Sequence, residues 1–381
     1  MNVIITAGWG YPYKKHATNT KSEFIALGLK NAGVEVLFMD ALWGTSSINH
    51  VSYGVSETGL DYVSFPRKYG VLSIVPNFFH AAKIMHERKQ NHSPNVLLDL
   101  YGIPSILIAL LLLFLSFVFS YKKCMIYHEY AQSFKKKHFY ERIASKLYDK
   151  VIPKFVDCIH PISHYITDWC LHFKKPLLPI PILGSYDKII ESSVSNEFTY
   201  CVSASYFLRN EIIIKAFEIA SKQDVRFRVN LVLSQLGDMM KDVQLLLKEH
   251  ELTNICKVNC ELSQNDLYSL FASSLALLIP LDPNSLQDKA RFSQKIAEYI
   301  STGRPIITSN VGEIPYYFKH NESAIIVDYD AKSYAEAFVY LLDNKRVADR
   351  VGKGGFKVGR EFFDYKKNGL NIVKFYEQIF K

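Results

Sequence analysis

The sequence predicts an α/β protein made of two doubly wound, Rossmann-like domains, and three observations carry that expectation. The chain has 381 residues, longer than one ordinary domain, and at 49% hydrophobic and 22% charged it has the composition of a globular protein able to bury sizeable cores. Strand-like apolar runs alternate with amphipathic helical stretches in two successive series, the order that builds parallel sheets. Serines and charges cluster over 192–197, between the two series, and mark a boundary. The first domain is therefore expected over 1–190 and the second over 191–361, with the last segment, 362–381, left to be placed.

Asn2 to Ala7 reads as a buried strand, followed by Gly8-Trp9-Gly10 as a turn where backbone approaches a ligand closely. In a doubly wound sheet, a loop outside the carboxyl end of the first strand borders the ligand crevice. The two glycines are no dinucleotide fingerprint, because a third glycine and an acidic ribose reader are missing from the expected places. Val34 to Met39 is the second strand, a helix covers much of Val71 to Lys89, and Asn95 to Tyr101 is another strand. The run from Ile103 to Phe119 is almost continuously apolar, but its 17 residues fall short of the about 20 needed for a span. Lying between two strands, it reads as a buried or interfacial crossover helix, and contact with a membrane surface would explain its excess apolarity.

Lys123 to Tyr127 forms a strand leading into His128-Glu129, where ligands meet parallel sheets. Phe139 to Lys150 is an amphipathic helix, Cys158 to His160 a strand end, and Ser163 the cap of the next helix. Leu177 to Ile182 completes the first sheet. The second series opens at Phe198 to Ala204, with strands near 228–234, 254–258, 275–280, 306–308 and 324–327. Its helices are expected near 210–222, 236–249 and 264–273, and the final helix of the chain at about 366–380.

The net charge is +8, and basic residues gather at Lys122-Lys123 and Lys135-Lys136-Lys137. A basic patch beside apolar surface suggests anionic lipid, and no nucleic-acid motif accompanies it. The six cysteines form no zinc-type CxxC pair, and the CxxxC of Cys256 and Cys260 lacks a second half-site, which points to free thiols. The chain starts at once with a strand and shows no signal peptide, so it is expected in the cytoplasm, peripheral at the inner face of the cell membrane.

The chemistry concentrates in Arg291 to Pro305, RFSQKIAEYISTGRP. Ser293 fits an N-cap and Gly303 a left-handed stop, so Gln294 to Thr302 reads as a short helix. Ile296, Tyr299 and Ile300 share a core-facing stripe, leaving Lys295 and Glu298 on another face. A surface ion pair explains them poorly, because Lys ahead of Glu is the weaker order and a cation in the first turn opposes the helix dipole. An anion at that N-terminus removes the conflict, phosphate being the obvious one, and a carboxylate one turn further in suits the two hydroxyls of a ribose.

At these residues the chain resembles the C-terminal domain of GT-B glycosyltransferases, specifically the large retaining family 4. The family's second Glu opens "E-hydrophobic-hydrophobic-x-x-G-x-P", matched by Glu298, Gly303 and Pro305, and then come the strand Ile306-Ile307-Thr308 and the turn Asn310-Val311-Gly312-Glu313. The first Glu falls at Ala290, which cannot accept a sugar hydroxyl, and leaves Asp288 or Asp282 as substitutes. His128-Glu129 matches the family's His and acidic residue facing the donor sugar. Ser163 resembles its "hydrophobic-x-x-S" element, and Leu183-Gly184-Ser185-Tyr186-Asp187 its linker turn. Where the family carries an Arg and then a Lys for the diphosphate, this chain has Ser203-Ala204-Ser205 and then Arg209.

The resemblance implies two domains facing a cleft, with 362–381 crossing back onto the first. It implies a retaining enzyme that moves a sugar from a nucleotide-diphosphate sugar to a saccharide acceptor, lipid-linked, in bacterial-type surface polysaccharide or glycan assembly. His128 and Glu129 would be catalytic, and Gly8, Gly10, Arg209, Arg291, Ser293, Lys295 and Glu298 would bind the donor. No cofactor or metal is implied; the Asp328-Tyr329-Asp330 string ends a strand before a helix, where Asp serves turns and caps. A sugar-nucleotide 2-epimerase of the same fold and a non-catalytic nucleotide-binding membrane partner stand as the alternatives.

Overall fold

Apolar runs rich in Val, Ile and Leu become parallel strands because helices cover both of their faces. The computed structural model describes residues 1–7, 11–13, 17–98, 106–133, 139–234, 236–260 and 262–381. These fall into two units, one comprising Met1–Leu183, Ala290–Gln294 and Asp364–Lys381, the other Gly184–Lys289 and Lys295–Phe363. Gly184 to Ile190 thus goes with the second unit and Ala290 to Gln294 with the first, unlike a division at 190.

The first unit contains β1 (Asn2–Ala7), α1 (Ala17–Asn31), β2 (Glu35–Asp40), β3 (Ser52–Val55), β4 (Asp61–Ser64), α2 (Ile74–Arg88), β5 (Asn95–Leu98), α3 (Ile106–Val118), β6 (Lys122–Tyr127), α4 (Phe139–Phe155), β7 (Cys158–Pro161) and α5 (His164–Cys170). The second runs β8 (Glu197–Ser203), α6 (Ala204–Phe207), α7 (Glu211–Gln223), β9 (Arg228–Ser234), α8 (Met240–Glu249), β10 (Cys256–Asn259), α9 (Gln264–Ser273), β11 (Ala276–Ile279), α10 (Leu286–Ala290), α11 (Gln294–Ser301), β12 (Ile306–Ser309), α12 (Ile314–Tyr317), β13 (Ile325–Val327), α13 (Ala331–Asp343) and α14 (Lys345–Val358). A last helix, α15 (Tyr365–Ile379), belongs to the first unit.

The first sheet has the order β3-β4-β2-β1-β5-β6-β7, parallel except for the antiparallel β3–β4 pair. The second, β10-β9-β8-β11-β12-β13, is parallel throughout. Each is doubly wound, and strand order reverses between β1 and β5 in one and between β8 and β11 in the other. Such reversals open the crevice where α/β sheets hold ligands.

One expected strand is absent. Leu177 to Ile182 makes a single bridge, Ile159 with Leu177, and two bonds, Leu178 N–H to Ile159 O (3.2 Å) and Ile180 N–H to Pro161 O (2.9 Å). Pro176, Pro179 and Pro181 have no N–H to donate, so the segment cannot sustain a ladder.

Right-handed crossovers running in opposite directions from β1 put α1 on one face of the first sheet and α3 and α4 on the other. α15 joins α1, and the two helices approach so closely that a Cβ on Gly369 would lie 2.2 Å from the Gly28 backbone. On the opposite side α2, α3 and α4 form one layer, with the Phe78 and Phe114 rings 6.4 Å apart. α3 spans 13 residues, about 20 Å against a hydrocarbon core of about 30 Å. Among the described residues no helix is long and apolar enough to cross a membrane.

Candidate active site

The helix expected at Gln294 forms, and its core stripe is as the spacing requires: Ile296, Ala297, Tyr299 and Ile300 are all buried. Tyr299 locks the register, its hydroxyl accepting the Cys201 N–H at 3.3 Å and its ring meeting Phe271 edge-on at 4.8 Å. Gly303 ends the helix at φ +74°, a left-handed conformation, in space so tight that a Cβ would fall 2.7 Å from Ile189. Pro305 then leads into β12.

Lys295 and Glu298 stand off the core stripe, each partly exposed. Their side chains make neither an ion pair nor a hydrogen bond among the described residues. Burial pushes the Glu298 carboxyl above its ordinary range, and the nearby Lys295 charge opposes this less strongly. Both act on the Cys201 thiol, which burial raises first of all, and Glu298 also raises the Tyr268 hydroxyl after burial has done so. The pair therefore sits beside the carboxyl-terminal half of β8, next to the point where strand order reverses. A partly desolvated carboxylate with no donor among the described residues is an acceptor for ligand hydroxyls. A cation in the first turn of an eight-residue helix is a ready partner for an anion.

The remaining expected donor residues are spread differently. Ser203 ends β8 and Ala204 and Ser205 begin α6; Arg209 is exposed, and its Nε donates to the Ser205 carbonyl at 2.9 Å. Arg291 is partly buried and Ser293 occupies the residue before α11; both lie in the first unit. Gly8, Gly10 and the Lys135 to Lys137 cluster lie outside the described residues. His128 is 5% exposed and immediately follows β6, and Glu129 beside it is partly exposed.

The two candidate substitutes for the missing Glu differ in how far they are already engaged, Asp288 being buried and Asp282 partly exposed. Asp288 is buried and already accepts the Tyr206 hydroxyl (3.2 Å) and the Asp282 N–H (3.1 Å), while Asp282 accepts the Asn284 N–H at 2.8 Å. Ala290 itself is buried, and its carbonyl accepts the Ser163 hydroxyl at 2.5 Å. That Ser also caps α5, accepting the Ile166 N–H at 3.2 Å, so its expected capping role is joined by one the motif did not reveal. Asp330 caps α13 through Ser333 N–H (2.9 Å). Asp328 lines a cavity of about 760 Å³ beside β13 with His320, Glu336 and Tyr340, to which neither Lys295 nor Glu298 contributes.

One polar cluster went unnoticed in the sequence. Cys124, Cys158 and His160, all buried, bring potential metal-ligand atoms within 4.8 Å of one another. The Leu178 carbonyl can only accept, so His160 Nδ1 donates to it (2.9 Å) and Nε2 accepts the Tyr376 hydroxyl (2.9 Å). Burial drives His160 down to about 4, against a smaller upward pull from Leu178. The cluster fastens α15 to the sheet as a neutral network.

Residues 204–358 match the family model of glycosyl transferases group 1. The chain is a glycosyltransferase, its second unit a group 1 domain. Solved structures share the GT-B architecture of this glycosyltransferase over its whole length. Sucrose-phosphate synthase from Thermosynechococcus elongatus covers 100% of this chain and 99% of its own, with a TM-score of 0.73 at 14% identity. Anabaena HepE in complex with UDP and glucose covers 98% of both chains, with a TM-score of 0.70 at 13% identity. The pneumococcal O-GlcNAc transferase GtfA in complex with UDP and GlcNAc covers 100% and 99%, at 0.64 and 9%. No curated protein matches the glycosyltransferase in sequence.

Proposed function

We propose that the glycosyltransferase moves a sugar from a uridine-diphosphate sugar to a lipid-linked saccharide with retention of configuration, as a step in surface-glycan assembly. The observation that carries this reading is Glu298, a partly buried carboxyl with no hydrogen bond among the described residues, beside the Lys295 cation at the strand-order reversal of the group 1 domain. HepE and GtfA, both crystallised with UDP, support a uridine donor.

In this reading Glu298 accepts the ribose hydroxyls, while Lys295 and the amides opening α11 face the diphosphate, with Arg209, Arg291, Ser293, Gly8 and Gly10 as further donor contacts. The bond from the anomeric carbon to the phosphate oxygen breaks as the acceptor hydroxyl attacks from the same face. Its proton passes to the departing diphosphate. Charge developing on that leaving group is what Lys295 and the helix amides stabilise, so no metal is required. His128 and Glu129 face the donor sugar.

Two faces of α3 support a lipid-linked acceptor and peripheral binding to an anionic membrane. Its inner face packs Ile108, Leu112 and Leu115, yet Leu107, Leu110, Phe114 and Phe117 stay exposed on the other. α2 adds exposed Val75 and Phe79, and α4 adds Phe139, Ile143 and Leu147 interleaved with exposed Arg142, Lys146, Lys150 and Lys154. Apolar residues among cations suit the headgroup boundary of anionic lipid.

A panel of nucleotide sugars with and without lipid extract, read by NMR at the anomeric position, tests the reaction. Transfer with retention is expected. Inversion overturns the mechanism, and epimerised donor in the absence of acceptor overturns transfer itself. Replacing exposed Phe114 and Phe117 by Ser should abolish sedimentation with vesicles containing anionic lipid while leaving UDP binding intact; undiminished sedimentation refutes the membrane face.

A further inference from the structure

A buried aspartate holds the segment that follows β6. Asp149 lies on the inner side of α4 with no exposed surface, in a helix whose outer side is cationic. Its carboxylate accepts four hydrogen bonds: from the Tyr127 hydroxyl (2.5 Å), Ala131 N–H (3.3 Å), Gln132 N–H (3.1 Å) and Gln132 Nε2 (3.2 Å). Tyr127 is the residue before His128, and Ala131 and Gln132 follow Glu129 and Tyr130. One carboxylate therefore grips the chain on both sides of His128-Glu129.

The grip extends outward. Gln132 Nε2 also donates to the Tyr130 hydroxyl at 2.8 Å, and the Tyr130 ring packs edge-on against Trp169 (5.2 Å) and Tyr165 (6.1 Å) of α5. A buried carboxylate is costly even when well bonded, and an apolar side chain of similar volume generally serves stability as well or better. Burial indeed raises the Asp149 carboxyl above its ordinary range, with the four donors pulling it back. What an apolar residue could not do is bind two consecutive backbone amides and a strand-end hydroxyl at once. Those bonds fix where the segment leaves the sheet.

We propose that Asp149 is a positioning residue that sets the backbone carrying His128 and Glu129 for reaction. This rests on the reading of His128 as facing the donor sugar. Misplacement of a reacting group by about 1 Å can cost about 100-fold in rate. Asp149→Asn keeps the shape but turns one oxygen into an NH₂, which then opposes either the Ala131 N–H, held on Oδ1 with the Tyr127 hydroxyl, or the Gln132 N–H and Nε2, both held on Oδ2.

The test compares Asp149→Asn, His128→Ala and the double variant in the full chain. Asp149→Asn is expected to lower kcat about 10- to 100-fold with donor KM and UDP affinity unchanged. The double variant should be no slower than His128→Ala, because a residue acting through another adds nothing once that residue is gone. Full kcat in folded Asp149→Asn, or losses that multiply in the double variant, would overturn the proposal. Tyr127→Phe removes one of the four donors without touching α4, so a failure of Asp149→Asn to fold leaves a second probe, expected to slow kcat several-fold. Should His128→Ala keep the wild-type rate, the role of His128 falls. The grip itself is then judged by hydrogen exchange at Ala131 and Gln132, where unchanged protection in Asp149→Asn refutes it.

Discussion

Replacing Glu298 by Gln separates a ligand-binding carboxylate from a structural one, because the two roles predict opposite signs. The carboxyl has no hydrogen bond within the described protein, and burial raises its pKa above the ordinary Glu value. The folded protein therefore holds this proton to higher pH than the unfolded chain does. Above the raised pKa the ionised carboxylate costs stability, and below the ordinary Glu pKa that cost is gone. Glu298→Gln should consequently melt no lower than wild type without ligand, with any gain present at pH 8 and fading as the pH drops into the Glu range.

Donor binding should move the other way. Gln retains one acceptor oxygen but loses the charge that roughly doubles the strength of such bonds. Losing charge assistance to the ribose should cost about 1–3 kcal/mol, or about 5- to 150-fold in Kd. Calorimetry with UDP gives that number directly. Melting with UDP at 100 times Kd, where wild type gains about 2.7 kcal/mol, provides an independent reading. Unchanged UDP affinity, or a large loss of apo stability, would refute the assignment of Glu298 to the ligand.

Acid should weaken the fold through His160. Its pKa is about 4 in the fold against an ordinary 6.5, so the unfolded chain takes up the proton first and stability falls as pH drops between those values, by up to about 3 kcal/mol; urea melts of wild type and His160→Gln at pH 7 and 4.5 measure the difference, and equal slopes refute it. Gly369→Ala should destabilise by about 1–3 kcal/mol, because its Cβ would lie 2.2 Å from Gly28 backbone and must push α15 off α1; an unchanged melting temperature would contradict that packing. Transfer activity should survive EDTA, and loss restored by Mn²⁺ would instead give Asp328 and Asp330 a metal role.

Periodicity made most of the fold legible. β1, the alternating elements of the second unit and the core stripe of α11 all follow from local patterns with buried, regular faces. What failed to register was set by long-range pairing. The four-residue strands β3, which alternates half-exposed and exposed residues, and β4, exposed at its start and buried at its end, are too short to be distinguished from loop, and they exist because β4 pairs with β2. The Pro-rich stretch at Leu177 to Ile182 erred in the opposite direction: its apolarity suggested a strand, but buried side chains need no ladder. On α11, the placing of Lys295 and Glu298 off the core stripe was readable because helix spacing acts within one turn. Asp149 was not, since an Asp in an amphipathic helix gives no sign in sequence of which donors will converge on it.

The apolar run before β6 shows why a sequence can pose a question without answering it. Core and interface were competing explanations; α3 turns Ile108, Leu112 and Leu115 inward and leaves Leu107, Leu110, Phe114 and Phe117 exposed. The inner set alone would satisfy the sheet. Outer positions of a crossover helix could carry Glu, Lys or Gln at no loss of core and with better helix propensity than Phe. Four large apolar side chains kept there, continued by Val75 and Phe79 on α2 and by Ile143 and Leu147 on α4, exceed the scattered exposure normal for a surface. The cations around them then argue for the sign of the partner. Arg142, Lys146, Lys150 and Lys154 line the exposed face of α4 against one partly exposed acid, Glu141, whereas the exposed acid on α2, Glu87, is paired with Lys83 at 3.7 Å. A second apolar protein would gain little from that asymmetry, but an anionic lipid surface would gain from each cation, which is why the membrane reading is preferred over a protein partner.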